Sequence, residues 1–300
     1  MTSVQACQQA LGVLPPRLRQ EALALPQEDQ ARAEEFRLRA GWPMSVVLGE
    51  RERFLNGPPV EGGELERLVE IASQASLHAV LDQLRRGYLT VAGGHRLGLC
   101  GTAVLQGGGI HALRGFSSAN LRVARQVEGA AAPVLDSLCP GGRLASTLIL
   151  APPGMGKTTL LRDLIRLVSE GEGCAPLRVS LADERGEVAA MHNGRPQLEV
   201  GRRTDVVEGC PKAQGLMLLL RGMNPQVLAV DEVTAPEDVQ ALTTAVGCGA
   251  TLLATAHGSE LADLERRPVY RPLLKEGLFR FLVRIRREDG GRVYTVEELR

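Results

Sequence analysis

Lysine is nearly missing from this 300-residue chain: only Lys157, Lys212 and Lys275 occur, and arginine carries the rest of the positive charge. Formal net charge is zero and the isoelectric point is near 7, so no bulk field draws the chain to nucleic acid or to an anionic membrane, although a local basic patch is still allowed. No C-x-x-C pair occurs among Cys7, Cys100, Cys139, Cys174, Cys210 and Cys248. That excludes the usual metal and redox spacings and reads as reduced thiols in a cytosol. The start, MTSVQACQQALGVLPPRLRQ, lacks a basic segment followed by an apolar run, and Pro15-Pro16 interrupts it, so no signal peptide is expected. The longest uncharged stretch, residues 239–258, contains four Thr, one Gln, one His and three Gly. A buried helix followed by a buried strand accounts for it better than a membrane span, and any membrane association would need a partner.

What remains is 44% hydrophobic and 23% charged, enough for two domains with real cores. The expected division is an α+β domain over residues 1–130, a linker over 131–145 with a short helix near it, and an α/β domain over 146–300. In the first domain, Ser3–Leu11 and Pro16–Leu25 read as helices. Residues 35–49 read as two strands around Gly41-Trp42-Pro43. Leu65, Leu68, Val69, Ile71 and Ala72 fall at helical spacing, a pattern repeated by Leu77, Val80, Leu81 and Leu84. After Gly87, short alternating segments punctuated by Gly93-Gly94 and Gly107-Gly108-Gly109 suggest an antiparallel meander. Beyond residue 146 the order becomes strand, helix, strand, helix. Strands are expected at Thr147–Leu150, Arg178–Ala182, Val227–Val230 and Ala250–Thr255, continuous apolar runs of the kind covered on both faces.

The chemistry starts at APPGMGKT, residues 151–158. It has P-loop spacing, with Ala151 where the first glycine usually stands. Pro153, Gly154, Met155 and Gly156 form the turn, whose glycines let successive N–H groups point inward, and a helix starting near Lys157 adds its N-terminal dipole. Lys157 would reach the β- and γ-phosphates of ATP, Thr158 would ligate Mg²⁺, and Thr159 could bond the α-phosphate. Such a loop needs an acidic partner on a neighbouring strand. QVLAVDEV, residues 226–233, supplies Asp231 as the magnesium-side carboxylate and Glu232 as general base or water-orienting group. Two more strand ends carry polar groups: Asp183, Glu184 and Glu187 in SLADERGEV, and Thr255 and His257 in LLATAHGSE. The latter pair could sense the γ-phosphate or contact the acidic residues.

The run from Leu220 to Glu260 resembles the type II and type IV secretion-superfamily ATPases, with an arginine-led segment ending in Pro, an acidic Walker B and a Thr-x-His box in succession. EFRLRAGWP, GGHRLGLCG, SSANLRVAR, LADERGEVAA, GRRTDVVEGCPKAQGLMLLLRGMNPQVLAVDEV and ATAHG together are similar to the stage III sporulation protein AA family, from about residue 12 to residue 297. The resemblance implies a RecA-like P-loop ATPase domain after a smaller α+β domain. It also implies a homo-oligomeric ring, a hexamer, docked from the cytoplasm on membrane-embedded proteins of the mother-cell-to-forespore channel made during endospore formation, on its mother-cell side. It brings Glu184 or Glu187 into competition with Glu232 as catalytic carboxylate and maps the His box to His257. The secretion ATPases usually have Gly before the Walker B glutamate; this chain has Asp231, the ordinary P-loop choice.

Ring ATPases set a cationic side chain against the γ-phosphate. Arg202, Arg203 and Arg221, with Arg96, Arg122 and Arg125 of the first domain, are the candidates; Arg203 is the preferred one from the second domain, Arg122 or Arg125 from the first. The C-terminal segment reads as a hairpin around Asp289-Gly290-Gly291 with Arg280, Arg284, Arg286 and Arg287 close together, a solvated edge strand more than a docking face. The alternative function is a nucleic-acid-associated P-loop ATPase, since plastid and cyanobacterial relatives resemble this core but carry a further single-strand-binding module. No such module follows here and no net positive charge favours it, so nucleic acid is not an expected partner. A scaffold that binds nucleotide without turnover would not need Lys157, Thr158, Asp231 and Glu232 together.

Overall fold

The computed structural model describes residues 2–73, 83, 85, 87–288 and 291–299. The helix expected from Leu77, Val80, Leu81 and Leu84 lies outside them, as do Asp289 and Gly290 of the C-terminal turn. The chain forms two compact units, Met1–Gln126 with Ala190–Gln197, and Val127–Ala189 with Leu198–Arg300. Residues 131–145 therefore belong to the second unit, and an eight-residue excursion from it joins the first.

The first unit begins with the helices Ser3–Ala10, Pro16–Leu23 and Gln27–Arg32. Thr2 and Gln5 form a reciprocal capping box at the first, and Pro16 opens the second at a position where its missing N–H costs nothing. A six-stranded antiparallel sheet follows, in the order β3-β2-β1-β6-β5-β4. Its strands are β1 (Ala33–Arg39), β2 (Ser45–Leu48), β3 (Arg51–Phe54), β4 (Tyr88–Val91), β5 (His95–Gln106) and β6 (Gly109–Arg122). Leu65, Leu68 and Val69 of the helix Gly62–Ala72 join Leu11, Leu18, Phe36, Leu38, Leu97 and Leu121 in one apolar core. The inserted β9 (Met191–His192) and β10 (Arg195–Pro196) form a small hairpin. His192 Nδ1 donates to the Thr90 carbonyl at 3.1 Å, and the Gly93 N–H donates to Gln197 Oε1 at 2.9 Å.

His95, fully buried at the start of β5, accepts the Ala124 N–H on Nδ1 at 3.0 Å while its Nε2 has no partner. Burial pushes its pKa down from 6.5 to about 4. Between those values the unfolded chain binds a proton that the folded chain refuses. The stability contributed by neutral His95 is complete above pH 6.5 and is lost as the pH falls toward 4, by up to about 3 kcal/mol. Hydrogen exchange of the Leu97 and Leu121 amides, corrected for intrinsic rate, should show that loss in wild type and a flatter profile in His95→Gln. Equal slopes in both would remove His95 as the cause.

The second unit is built on a seven-stranded sheet in the order β11-β8-β12-β13-β7-β14-β15. These strands are β7 (Thr147–Ala151), β8 (Val179–Asp183), β11 (Thr204–Glu208), β12 (Val227–Val230), β13 (Thr251–His257), β14 (Phe281–Glu288) and β15 (Gly291–Glu298). All neighbours are parallel except β14 and β15, a terminal antiparallel hairpin. Every residue of β7, β8 and β12 is buried, which matches their largely apolar runs. The helices Lys212–Gly222 and Pro236–Gly247 contribute Leu216, Leu219, Val239 and Leu242 to the core over one face. Lys157–Glu170 is the helix that follows the P-loop strand β7. Among the described residues, no helix is long and apolar enough to cross a membrane.

Candidate nucleotide site

In a parallel sheet all C-terminal strand ends open on one edge, where the following loops can share a ligand. Here that edge gathers Ala151, Asp183, Val230 and His257, the last residues of β7, β8, β12 and β13. The turn Pro152–Gly156 leaves β7 and enters the helix Lys157–Glu170. Gly154 and Gly156 have φ of 75° and 96°, a left-handed backbone that glycine adopts without the Cβ penalty. Nothing lies within 4 Å of a Cβ built on Gly154, so there the backbone angle, and not room, is what favours glycine. Pro153 and Met155 are the turn's other members, and Thr159 sits in the first turn of the helix.

Lys157 is folded inward, 7% exposed. Its Nζ donates to the carbonyls of Ala151 (2.9 Å) and Pro152 (3.1 Å) and to His257 Nδ1 (2.8 Å). Burial lowers its pKa, against the pull of Asp231 and Glu232. Because His257 Nδ1 accepts, the ring proton sits on Nε2, which lies 2.9 Å from Glu232 Oε1. Asp231 accepts Thr158 Oγ1–H on Oδ2 (2.8 Å) and Thr255 Oγ1–H on Oδ1 (2.6 Å). Thr255 Oγ1 in turn accepts the Glu232 N–H at 2.7 Å. One connected network thus joins Lys157, Thr158, Asp231, Glu232, Thr255 and His257. Glu232 itself is left-handed, φ 57°, a conformation costing a non-glycine residue about 1–3 kcal/mol unless its surroundings impose it. The Thr255 bond, His257 and Arg185 (3.3 Å to Oε2) impose it here.

The acidic box divides by role. Asp183, 2% exposed, accepts the N–H groups of Glu187, Val188 and Ala189 at 2.9–3.0 Å. Burial pushes its carboxyl up, the three N–H bonds opposing. Arg162, on the P-loop helix, donates to the carbonyls of Val188 (2.5 Å) and Glu187 (2.6 Å), so the box is closed on itself by Asp183 and tied to the P-loop helix by Arg162. Glu184 is held by the buried Lys212 at 3.0 Å.

Arg203 lies elsewhere. Its Nη1 donates to the Ser169 carbonyl at 2.9 Å, and Arg202 pairs with Glu170. Both therefore sit at the C-terminal end of Lys157–Glu170, about 18 Å along its axis from Lys157. In the first unit Arg122 pairs with Glu35, Arg125 donates to the carbonyls of Ala31 and Ala33, and Arg96 stacks on Tyr88.

Sequence does not single out Arg162 or Arg185. Arg185 lies within the acidic box itself, a signal available in the sequence. Arg162 depends on packing and leaves no local signature.

The strand order, the P-loop turn and the paired acidic strand end define a RecA-like α/β fold. The Legionella pneumophila ATPase DotB superposes with a TM-score of 0.57 at 16% identity, over 90% of this chain and 77% of that one. The pilus retraction motor PilT with bound ADP gives 0.58 at 18% identity, over 88% and 78%. A narrower kinship is carried by sequence. The family model for sporulation stage III, protein AA matches residues 5–300, and the chain belongs to that family. Stage III sporulation protein AA of Bacillus subtilis (strain 168) is 37% identical over 280 residues, 93% of this chain and 90% of that protein.

Proposed function

We propose that this protein is a Mg²⁺-dependent ATPase, a motor of the secretion type that energises or assembles the mother-cell-to-forespore channel during endospore formation. The observation that carries the reading is the network around Lys157: a P-loop lysine, a hydroxyl–aspartate pair and a glutamate share one polar edge of a parallel sheet. The N–H groups of residues 154–157 and the Lys157 ammonium would hold the phosphates of ATP, with Thr159 on the α-phosphate. The donors fit magnesium. Thr158 Oγ1 and Asp231 Oδ2 already meet at 2.8 Å, an oxygen pair of the kind that suits an ion that keeps several waters and leans on phosphate. Bound there, the ion would neutralise charge developing on the transferred phosphoryl group.

Glu232 would take the proton of the attacking water, oriented by the protonated Nε2 of His257 on its other oxygen. Glu184, which would have to leave Lys212, and Glu187 are the alternative bases. Nucleotide phosphates would draw Lys157 away from His257, so occupancy and the setting of Glu232 are coupled through one imidazole. Arg203, facing away from its own P-loop, would serve a neighbouring subunit in a homo-oligomeric ring, a hexamer. The ring would sit on the cytoplasmic, mother-cell side of the forespore membrane, docked on membrane-embedded channel proteins.

Phosphate release per subunit should rise with protein concentration as the ring assembles, in step with the mass measured with and without ATP and Mg²⁺. A persistent monomer of constant specific activity would rule out a ring-borne active site.

A further inference from the structure

Gly156 has a close neighbour from the far end of the chain. The guanidinium of Arg292, on β15, places Cζ and Nε 3.0 Å and Nη2 3.3 Å from where a Cβ on Gly156 would stand. Glycine here is required by the backbone angle, and the guanidinium stands at contact distance from where a Cβ would be. β14 lies directly beside the P-loop strand, parallel to it, and β15 closes the sheet. Arg292 stands opposite Arg287 in the β14–β15 register. The two side chains therefore leave the same face of the hairpin, a spacing at which like charges destabilise a strand pair.

The other arginines of this hairpin are neutralised. Arg280 pairs with Glu298, Arg284 with Glu260 and Glu297, and Arg286 with Glu260. Among the described residues, Arg287 and Arg292 have no hydrogen-bond or ion-pair partner. Two facing, uncompensated guanidinium groups beside an anion-binding turn have a simple physical reading: their counter-charge is carried by the ligand.

We propose that Arg292 binds the phosphate chain of the nucleotide in cis, from the Gly156 side of the P-loop, and that Arg287 reinforces it. This rests on the nucleotide-binding reading above and assigns to the terminal hairpin a place in the binding site. The planar fork of arginine suits a phosphate oxygen pair as lysine does not. Both cations belong to the same subunit as the loop they serve, so the contact does not wait for a ring.

The test is ADP, AMP-PNP and adenosine binding to the full chain by calorimetry, with wild type, Arg292→Ala, Arg292→Gln, Arg287→Ala, Lys157→Ala and Arg280→Ala. Both Arg292 variants should weaken ADP and AMP-PNP by about 10-fold or more while leaving adenosine and the nucleotide-free melting temperature unchanged. Arg287→Ala should weaken them less, and Arg280→Ala should match wild type. If Lys157→Ala loses ADP but both Arg292 variants bind within about 2-fold of wild type, the cis assignment is wrong and the nucleotide reading stands. Altered ring assembly with unchanged ADP affinity would likewise overturn it, reassigning Arg292 to a neighbouring subunit. Wild type that binds neither ADP nor AMP-PNP would overturn the nucleotide reading and this proposal with it.

Discussion

Replacing Lys157 by alanine is expected to weaken nucleotide binding and suppress phosphate release together. The ammonium is the one cation folded into the P-loop itself, and it is held by two carbonyls and an imidazole nitrogen. All three are neutral acceptors, which a phosphate can outcompete. A charge-assisted hydrogen bond to phosphate contributes about 1.5–3 kcal/mol, so affinity for ATP should fall about 10- to 100-fold. Turnover should fall by at least about 10³, because the same charge is needed where negative charge develops. Calorimetry and phosphate release on the same preparations check both. Unchanged affinity for ATP would mean that Lys157 is a structural lysine tied to His257.

Glu232→Gln should separate the two properties. The amide keeps the shape of the side chain, and the left-handed backbone is imposed by Thr255 through the main-chain N–H, so the fold should be undisturbed. ATP should bind as in wild type while hydrolysis slows by about 10²–10⁴, the usual contribution of a positioned base. Single-turnover measurements make the comparison free of product release. Normal turnover would move the base to the acidic box, to Glu184 or Glu187.

The site was legible where its chemistry is local. APPGMGKT and QVLAVDEV announce a turn, a helix start and an acidic strand end within a few residues each, and the parallel strands around them are runs of buried apolar side chains. Elements without such patterns escaped. β11 is half-buried throughout, with Thr, Asp and Glu among its five residues, so it reads as loop. β3 is exposed at every position, and Gln27–Arg32 buries only Gln30, leaving no apolar stripe to find. The excursion of Ala190–Gln197 into the first unit is a long-range event. Spacing could not reveal it, nor that Arg203 belongs at the far end of the P-loop helix and Arg292 at its start.

The scarcity of lysine has a practical consequence. Lys157 and Lys212 are 7% and 6% exposed, and each is already held by partners, while Lys275 stands in solvent. An amine-acylating reagent should therefore mark Lys275 quickly and the other two slowly. The masses of the labelled peptides then report which buried amine has been uncovered. Acylation at Lys157 would time the opening of the P-loop, and at Lys212 the release of Glu184, without a mutation or an attached probe.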